Sequence, residues 1–321
     1  TCALPIYKVG FDEVWFSEHQ SPAEMIIAKA AGHTSRVMLG SAVRPLAYYH
    51  PLQVAIEANA ADHITHGRYQ LGVGFGFYAA LFEMRGVEYA NVRDMMHASI
   101  DLLLKLFTAT EPVDYDGPFW KGKKMVVNPK PIQTPHVPIA VAANLTDSTV
   151  ALGAKYNFKV LTSDFASDAK LHHFGEVFDE AQSKAGHAPS RKNLQVCRVV
   201  YVADTDRKAR DDMRESYNQT IKWEIANTPH HQQERIPKGG TFDDINFDYL
   251  CDTRNLIVGS PETVYRGIMD LYKTIGGFGQ INFHAGRDYA TPEKLAASMA
   301  LFGQEVLPRL RGVNPDRAKA A

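Results

Sequence analysis

Short apolar runs alternate with longer amphipathic segments along most of the chain, and this alternation constrains the fold more than any other feature. The short runs are rich in Val, Ile, Leu and aromatic residues and are bounded by Gly, Pro or Asp, which is typical of β-strands. Because strands that alternate with helices usually pair in parallel, the pattern predicts an α/β fold around a parallel sheet. Seven strands are predicted, at residues 12–19, 37–45, 69–76, 138–143, 159–163, 194–202 and 280–284.

The longer segments predict eight helices, and one of them shows clear start and stop signals. In Ser260-Pro261-Glu262 the serine can cap free N–H groups, the proline suits the first turn, and the glutamate favours the positive end of the helix dipole. Gly276-Gly277 then ends that helix in the expected way. The predicted helices cover residues 22–33, 51–64, 90–108, 146–154, 166–186, 206–226, 261–275 and 292–307.

Two stretches interrupt the alternation. Residues 111–137 are rich in proline and aromatic residues and predict a β-turn excursion before the next strand. Residues 227–257 are polar and without clear periodicity, which is typical of a lid or a binding insertion. The sequence contains no internal repeat, and no linker divides it into separate parts, so we expect one domain over residues 1–321.

The strand count is one short of the eight-stranded (β/α)8 TIM barrel. A barrel with only the seven predicted strands would leave an unpaired edge beside residues 12–19. We therefore expect a TIM barrel that lacks its first strand and most of its first helix in this chain. Residues 3–7 are an alternative first strand, but Pro5 makes that run a poor central strand.

The composition argues for small-molecule partners. The 321 residues include 35 Lys and Arg against 36 Asp and Glu, for a formal net charge of -1, so no global field attracts nucleic acid or an anionic membrane. Cys2, Cys197 and Cys251 are odd in number and far apart, which favours a reducing, cytoplasmic location. No apolar run approaches the roughly 20 residues needed to span a bilayer. The histidines are scattered without a ligand spacing, so no metal is predicted.

The first predicted strand delivers a carboxylate and an imidazole, Glu18 and His19, at its carboxyl end, where α/β barrels place their reactive groups. Adjacent strand residues point to opposite faces, so only one of the two can face the interior. Histidine suits proton transfer near neutrality, because its unperturbed pKa is about 6.5. We expect His19 to be catalytic and Glu18 to pair with a basic or backbone group behind the sheet.

This strand also carries a family resemblance. Its sequence is Gly10-Phe11-Asp12-Glu13-Val14-Trp15-Phe16-Ser17-Glu18-His19-Gln20, and the chain resembles the bacterial luciferase-like flavin monooxygenases from Gly10 to about Arg309. Each matching motif is weak alone, but their order along the chain is specific. The other motifs are Leu39-Gly40-Ser41-Ala42-Val43, His50-Pro51-Leu52, Asp62-His63-Ile64-Thr65-His66-Gly67-Arg68, Gly72-Val73-Gly74 and Val258-Gly259-Ser260-Pro261-Glu262.

The resemblance implies roles that the residues alone would not show. It places His19 beside the reactive C4a edge of a flavin, and it makes Ala42–Val43 a non-prolyl cis peptide against the flavin ring, where the sequence by itself indicates an ordinary strand end. It also implies that the small residues around Gly74 let the flavin approach the backbone. Arg93, otherwise an ordinary helix-surface arginine, would grip the flavin phosphate through its two-pronged guanidinium.

A second predicted phosphate contact lies where a helix starts. Residues 142–148 close a strand and open a helix, so free N–H groups are available to an anion, and either Ser148 or Thr146 can add a hydroxyl. Asn144, Leu145 and Ser148 are the predicted cofactor-binding residues. The chain departs from the luciferase α chains here, because Asn144-Leu145 replaces Glu-Ser. It departs again at Gly74-Phe75, which replaces Cys-Arg and argues against light emission, and at Gln20, which replaces a frequent second histidine.

The resemblance implies a flavin-dependent monooxygenase. Reduced FMN would arrive from a separate flavin reductase and react with O2 to a C4a-peroxyflavin, which oxygenates a small apolar organic substrate. One alternative is an F420-dependent hydride-transfer oxidoreductase on the same barrel, and another is a non-catalytic luciferase-like partner subunit. The resemblance also implies a homodimer.

Overall fold

A computed structural model describes residues 9–18, 21–76, 78–144, 146–284 and 289–316. Two compact units are present. One comprises Asp12–Ala142, and the other comprises the described residues from Ala143 onward together with residues 9–11. They are called here the first and the second unit. No helix of the described part is both long enough and apolar enough to cross a membrane.

The first unit is built on a parallel sheet. Strand β1 pairs with β2, β2 pairs with β4, and β4 pairs with β7, each in parallel register, while the two-residue strand β3 also pairs with β4. The pairing Val14↔Leu39, for example, aligns two apolar side chains across β1 and β2. The strands are β1 Glu13–Phe16, β2 Met38–Ser41, β3 Arg44–Pro45, β4 Tyr69–Gly74 and β7 Ile139–Ala143.

Four helices and a hairpin complete this unit. Helix α2 starts where predicted, because His50 accepts a hydrogen bond from the Leu52 N–H and Pro51 occupies the first turn. Residues 111–137 contain the antiparallel hairpin of β5 and β6. The remaining elements are α1 Ala23–Ala31, α2 Pro51–Ile64, α3 Ala79–Glu83, α4 Val92–Thr108, β5 Val113–Asp116 and β6 Lys121–Met125.

The second unit is arranged around one long strand. Strand β9 pairs in parallel with β8, with β10 and with β11, and its buried residues Val199 and Tyr201 belong to the core. The strands are β8 Lys159–Thr162, β9 Leu194–Val202, β10 Leu256–Gly259 and β11 Gln280–Phe283.

The helices of the second unit follow the predicted pattern with one interruption. The predicted helix 292–307 is an α-helix only as far as Leu301, where a π-helical segment, Phe302–Val306, follows it. The α-helices are α5 Asp147–Lys155, α6 Asp168–Lys184, α7 Asp206–Asn227, α8 Pro229–Gln232, α9 Phe247–Asp252, α10 Pro261–Ile275, α11 Pro292–Leu301 and α12 Leu307–Leu310.

All seven predicted strands are present, but sequence reasoning missed β10. This four-residue strand follows directly on the polar stretch 227–257, which hides it. That stretch is not unstructured: it contains α8 and α9, and it contributes Ile245, Phe247 and Leu250 to the core formed with β9, β10 and α7. The segment is thus packed onto its own unit, and a role as a lid stays a prediction.

Candidate active site

The carboxyl ends of β1, β2 and β4 lie along one edge of the first unit's sheet, because parallel strands end on the same side. Open α/β sheets bind ligands beyond this edge. Ser17 and Glu18 follow β1, Ala42 and Val43 follow β2, and Phe75 follows β4. The strand pairing therefore gathers several of the predicted site residues at one edge.

Ala42, Val43 and Gly74 lie together there. The Ala42–Val43 peptide bond is cis, as expected from the resemblance. Gly74 is buried against Val43, because a Cβ added to Gly74 would lie 2.5 Å from Val43 Cγ2 and 3.8 Å from Ala142 Cβ. A side chain at position 74 would therefore displace Val43, so the glycine is what lets the Ala42–Val43 segment pack on β4.

Arg93 is brought to the same end of β4. It lies in the first turn of α4 and is exposed, and its Cζ lies 4.8 Å from the centroid of the Phe75 ring. An arginine over an aromatic face is stabilised electrostatically by the ring. The structure thus places a positively charged side chain against Phe75, the residue that follows Gly74.

Glu18 has the structural surroundings that its position in the strand suggested. It is buried and accepts a hydrogen bond of 2.8 Å from the Tyr49 hydroxyl, while the Arg44 guanidinium lies 4.3 Å from the Tyr49 ring centroid. Burial raises the pKa of Glu18 and raises the pKa of Tyr49 to about 12. Arg44 is itself buried and forms ion pairs with Glu24, at 3.3 Å, and with Glu57. Glu18 therefore has a hydroxyl partner in Tyr49, together with the predicted kinds of partner, the Ala23 backbone and the charge of Arg44.

Two predicted site residues, His19 and Leu145, fall outside the described residues, as does Gln20. Their roles stay predictions.

In the second unit, Asn144 and Ser148 flank the start of α5. The Asn144 carbonyl accepts a hydrogen bond of 3.2 Å from the Ser163 hydroxyl, whereas the side-chain oxygen Oδ1 is buried without a partner among the described residues. Ser148 is exposed in the first turn of α5. A buried acceptor without a partner can take a hydrogen bond from a hydroxyl or N–H group of a bound molecule.

The first turn of α5 also carries a carboxylate, Asp147, that has two basic partners. Asp147 accepts a hydrogen bond of 2.9 Å from Lys170 Nζ and lies 2.8 Å from His173 Nε2. The hydrogen bond to His173 and then the one to Lys170 lower the pKa of Asp147. Two basic partners from α6 thus offset the carboxylate at this helix start.

A buried charge cluster at the carboxyl ends of β8 and β11 was missed by sequence reasoning. Asp164 follows β8 and His284 follows β11, and Arg235 pairs with Asp164 at 3.0 Å. Asp164 directly follows one predicted strand and His284 ends another, so the sequence could have indicated these two residues as site candidates. Nothing in the sequence indicated Arg235, which lies in the stretch expected to be a lid. Among the described residues, no group of three or more His, Cys, Asp or Glu side chains could hold a metal ion.

Residues 3–277 match the model for luciferase-like monooxygenases. The chain belongs to this family. Its parallel α/β architecture agrees with that of the family's TIM-barrel structures, which confirms the predicted fold class.

Individual relatives agree with this placement. The 4-hydroxyprotoasukamycin monooxygenase of Streptomyces nodosus subsp. asukaensis is 28% identical over 320 residues, covering 95% of this chain and 84% of the relative. The FMN complex of the oxygenating constituent of 3,6-diketocamphane monooxygenase from Pseudomonas putida, a type II Baeyer-Villiger monooxygenase, has a TM-score of 0.83 at 27% identity. That likeness covers 96% of this chain and 91% of the other.

A more distant structure shares the fold alone. The F420-dependent tetrahydromethanopterin reductase of Methanopyrus kandleri has a TM-score of 0.73 at 20% identity, covering 97% of this chain and 94% of the other. The family fold therefore occurs in proteins named for two different cofactors.

Proposed function

We propose that this protein is the oxygenase component of a flavin-dependent monooxygenase that uses reduced FMN and O2 to oxygenate a small apolar organic substrate. The observation that carries the proposal is the edge formed by Ala42, Val43 and Gly74 with Arg93 beside it. Gly74 lets the cis Ala42–Val43 segment pack closely on β4 at this edge, and the exposed Arg93 guanidinium beside Phe75 suits a phosphate monoester. The likeness to an FMN complex over 96% of this chain supports the same cofactor.

The described residues fit FMN. Ala42, Val43 and Gly74 would line the ring, and Arg93 would hold the phosphate. Asn144 and Ser148, at the start of α5 in the second unit, are proposed as cofactor-binding residues from the family resemblance, and Asn144 Oδ1 is a buried acceptor without a partner among the described residues. Leu145 is proposed at the same helix start from the sequence alone. When bound and reduced, FMN would supply the oxidant by reacting with O2 at C4a, and the protein's part is to orient reactants and exclude water.

His19 is the proposed catalytic residue, acting by proton transfer beside the cofactor. His19→Ala should lower oxygen-dependent product formation by about 100-fold or more while FMN binding persists. Unchanged product formation by this variant would contradict the role.

A separate flavin reductase is the proposed transient partner. The diketocamphane relative is named as an oxygenating constituent, which implies a division of labour in that system. We extend that division to this chain. A homodimeric state is proposed from the family resemblance, and a cytoplasmic location from the three scattered cysteines.

Hydride transfer with F420 is the alternative function, because an F420 enzyme shares the fold. The two are separated by anaerobic titration of the protein with reduced FMN and, separately, with reduced F420, followed by mixing with O2 and a panel of apolar cyclic ketones. We expect FMN binding and O2-dependent product. Tight F420 binding without FMN binding would overturn the monooxygenase proposal.

A further inference from the structure

A buried arginine, Arg44, directly follows the Ala42–Val43 segment at the proposed cofactor edge of the first unit. Its backbone belongs to the two-residue strand β3, in which Arg44 pairs with Val73 and Pro45 pairs with Gly74 of β4. Arg44 is therefore held on the same part of β4 as the segment before it. The family resemblance described above gives this arginine no role.

The side chain of Arg44 contacts carboxylates from two helices. Its Nη1 lies 3.3 Å from Glu24 Oε1 in the first turn of α1, and its Nη2 donates to Glu57 Oε2 on α2. The guanidinium Cζ also lies 4.3 Å from the centroid of the Tyr49 ring. Arg44, Glu24 and Glu57 are called here the Arg44 group. Because β3, α1 and α2 each contribute one member, the group ties the position of β3 to both helices.

Burial makes Arg44 depend on these two partners. The Arg44 side chain is 3% exposed, and those of Glu24 and Glu57 are 14% and 37% exposed. Burial alone would lower the pKa of Arg44, but the carboxylates of Glu24 and Glu57 outweigh it and raise this pKa. A buried cation that loses its partner is costly, so the two carboxylates fix where the guanidinium can lie.

Glu24 is in turn held by the sheet. Its Oε1 accepts a hydrogen bond of 2.7 Å from the hydroxyl of Tyr69, which is completely buried at the start of β4. The Tyr69 hydroxyl lies 3.4 Å from Ser41 Oγ, and Ser41 Oγ donates to the Gly72 carbonyl at 3.1 Å. Ser41 directly precedes Ala42. The Ala42–Val43 segment is thus held through the residue before it and through the residue after it.

Val43 occupies the space between these two anchors and the backbone of β4. A Cβ added to Gly74 would lie 2.5 Å from Val43 Cγ2, so the two residues are already in close contact. A binding surface keeps its shape only when the residues behind it are themselves fixed. If Arg44 lost a carboxylate, its guanidinium would move to another partner, and Val43, the preceding residue, would move with it.

The Arg44 group differs in kind from Arg93. It combines two carboxylates with one guanidinium, so it places no net positive charge at the edge. Arg93 is exposed and lies over Phe75, where its charge is available to a phosphate. Arg44 is therefore suited to fixing the shape of the edge rather than to binding an anion.

We propose that Arg44 is a positioning residue of the cofactor site, which holds Val43 where it contacts the flavin ring, with Glu24 and Glu57 as its anchors. The proposal rests on the proposed function. In this role Arg44 touches no reacting atom and transfers no proton. Loss of an anchor should therefore weaken binding of the ring system, which FMN and riboflavin share, and leave the contribution of the phosphate unchanged.

The first test needs no cofactor. Protein with labelled valine methyl groups is observed by NMR, and the Val43 resonances are assigned from their loss in Val43→Ala. Glu57→Ala should shift the Val43 methyl resonances, because Arg44 loses its anchor on α2. The matched control is Asp62→Ala, which removes another carboxylate of α2, one that accepts its hydrogen bonds from the 111–137 excursion. It should leave the Val43 resonances in place. Unshifted Val43 resonances in Glu57→Ala would overturn the proposal.

The second test is titration with FMN and, separately, with riboflavin. Glu57→Ala should weaken binding of both flavins by about 10-fold and by the same factor, because the shared ring is affected. Arg44→Lys should also weaken both equally, since an ammonium cannot replace the two-pronged guanidinium. The double variant should lose less than the product of the two factors, because both residues act through one contact. Asp62→Ala should bind both flavins as the unaltered protein does.

Each outcome of the titrations decides the proposal. If Arg44→Lys does not fold, Glu57→Ala decides it alone, because the Glu57 side chain is partly exposed and its loss is tolerated better. If the unaltered protein binds both flavins and Glu57→Ala matches it within about twofold, the proposal fails while the proposed function stands. A loss of affinity for FMN alone would assign the Arg44 group to the phosphate and overturn the proposal as well. If the unaltered protein binds neither flavin, the proposed function fails and the proposal fails with it.

Discussion

Asp62 accepts two hydrogen bonds from Gln133, one of 3.0 Å from the backbone N–H to Oδ2 and one of 2.7 Å from the side-chain amide to Oδ1. The Ile132 N–H donates to Oδ2 as well, at 2.7 Å. Asp62 is completely buried near the end of α2. The Asp62 carboxylate therefore connects the end of the 111–137 excursion to the helix that supports the sheet. This gives the Asp62-His63-Ile64-Thr65-His66-Gly67-Arg68 motif a structural role.

Asp62→Ala should destabilise the protein by at least about 2 kcal/mol, because it leaves two backbone N–H groups and an amide without their acceptor. Denaturation by urea measures the change. Glu111→Ala is the control, since Glu111 is exposed in the same excursion, and it should change the free energy of unfolding by less than about 0.5 kcal/mol. Equal effects of the two substitutions would refute the fastening role.

Gly74→Ala should cost about 1–3 kcal/mol of stability, because the new methyl group would lie 2.5 Å from Val43 Cγ2 in a packed site. It should also weaken FMN binding, since Val43 must move. Gly32→Ala is the matched control, because its added Cβ would meet only the Lys29 carbonyl at 3.7 Å. Thermal melting and FMN titration check both effects, and normal FMN affinity in Gly74→Ala would count against this edge as the cofactor site.

Much of the fold could be predicted from the sequence because its elements are strongly marked. The bounds of β9, Leu194–Val202, and of α2, Pro51–Ile64, agree with the predicted ranges to the residue. Strand β10 could not be found in the same way. It has four residues, it follows a polar stretch, and it is recognisable as a strand only because Leu256 and Val258 pack in a core assembled from distant segments.

The candidate functional residues likewise include some that the sequence indicated and some that only the structure shows. Ala42, Val43, Gly74 and Arg93 could be proposed because the family resemblance is carried by contiguous motifs at strand and helix ends. The pairing of Asp164 with Arg235 joins residues 71 positions apart, and it depends on how the stretch after α7 returns to the end of β8. Local periodicity carries no information about such a contact, so burial and charge had to be read from the structure.

Arg235→Met should destabilise the protein by about 3–5 kcal/mol. The substitution leaves Asp164 and Glu224 as buried negative charges without their shared cation, and a buried charge left unpaired is costly. Arg214→Met is the control, because the ion pair of Arg214 with Asp248 is roughly half exposed and should contribute only about 0–1 kcal/mol. Urea denaturation at pH 7 measures both, and a small loss in Arg235→Met would show that Asp164 and Glu224 find other compensation.

Stability should fall in acid partly because of Asp164. Burial alone would raise the pKa of Asp164, but His284 and Arg235 outweigh it and hold this pKa well below its usual range. The folded value is thus below the unfolded value of about 3.9, so the stabilisation is complete above that pH and is lost as pH falls towards the folded pKa. Asp164→Asn should flatten the loss of unfolding free energy below about pH 4, and the exposed Asp270→Asn should not. Parallel acid curves for Asp164→Asn and the unaltered protein would contradict the prediction.

Arg93→Met should weaken FMN binding by about 10-fold to 100-fold, the loss expected when a charged hydrogen-bond donor to a phosphate is removed. Riboflavin has the same ring and no phosphate, so its affinity for the variant should stay within about threefold of that for the unaltered protein. Arg36→Met, at a half-exposed arginine paired with Asp12, is the control for the lost charge. Fluorescence titration with both flavins separates two roles for Arg93, because its guanidinium also lies over Phe75. An equal loss of affinity for FMN and riboflavin would mean that Arg93 acts by shaping Phe75 against the ring, and the phosphate would then have to be held elsewhere.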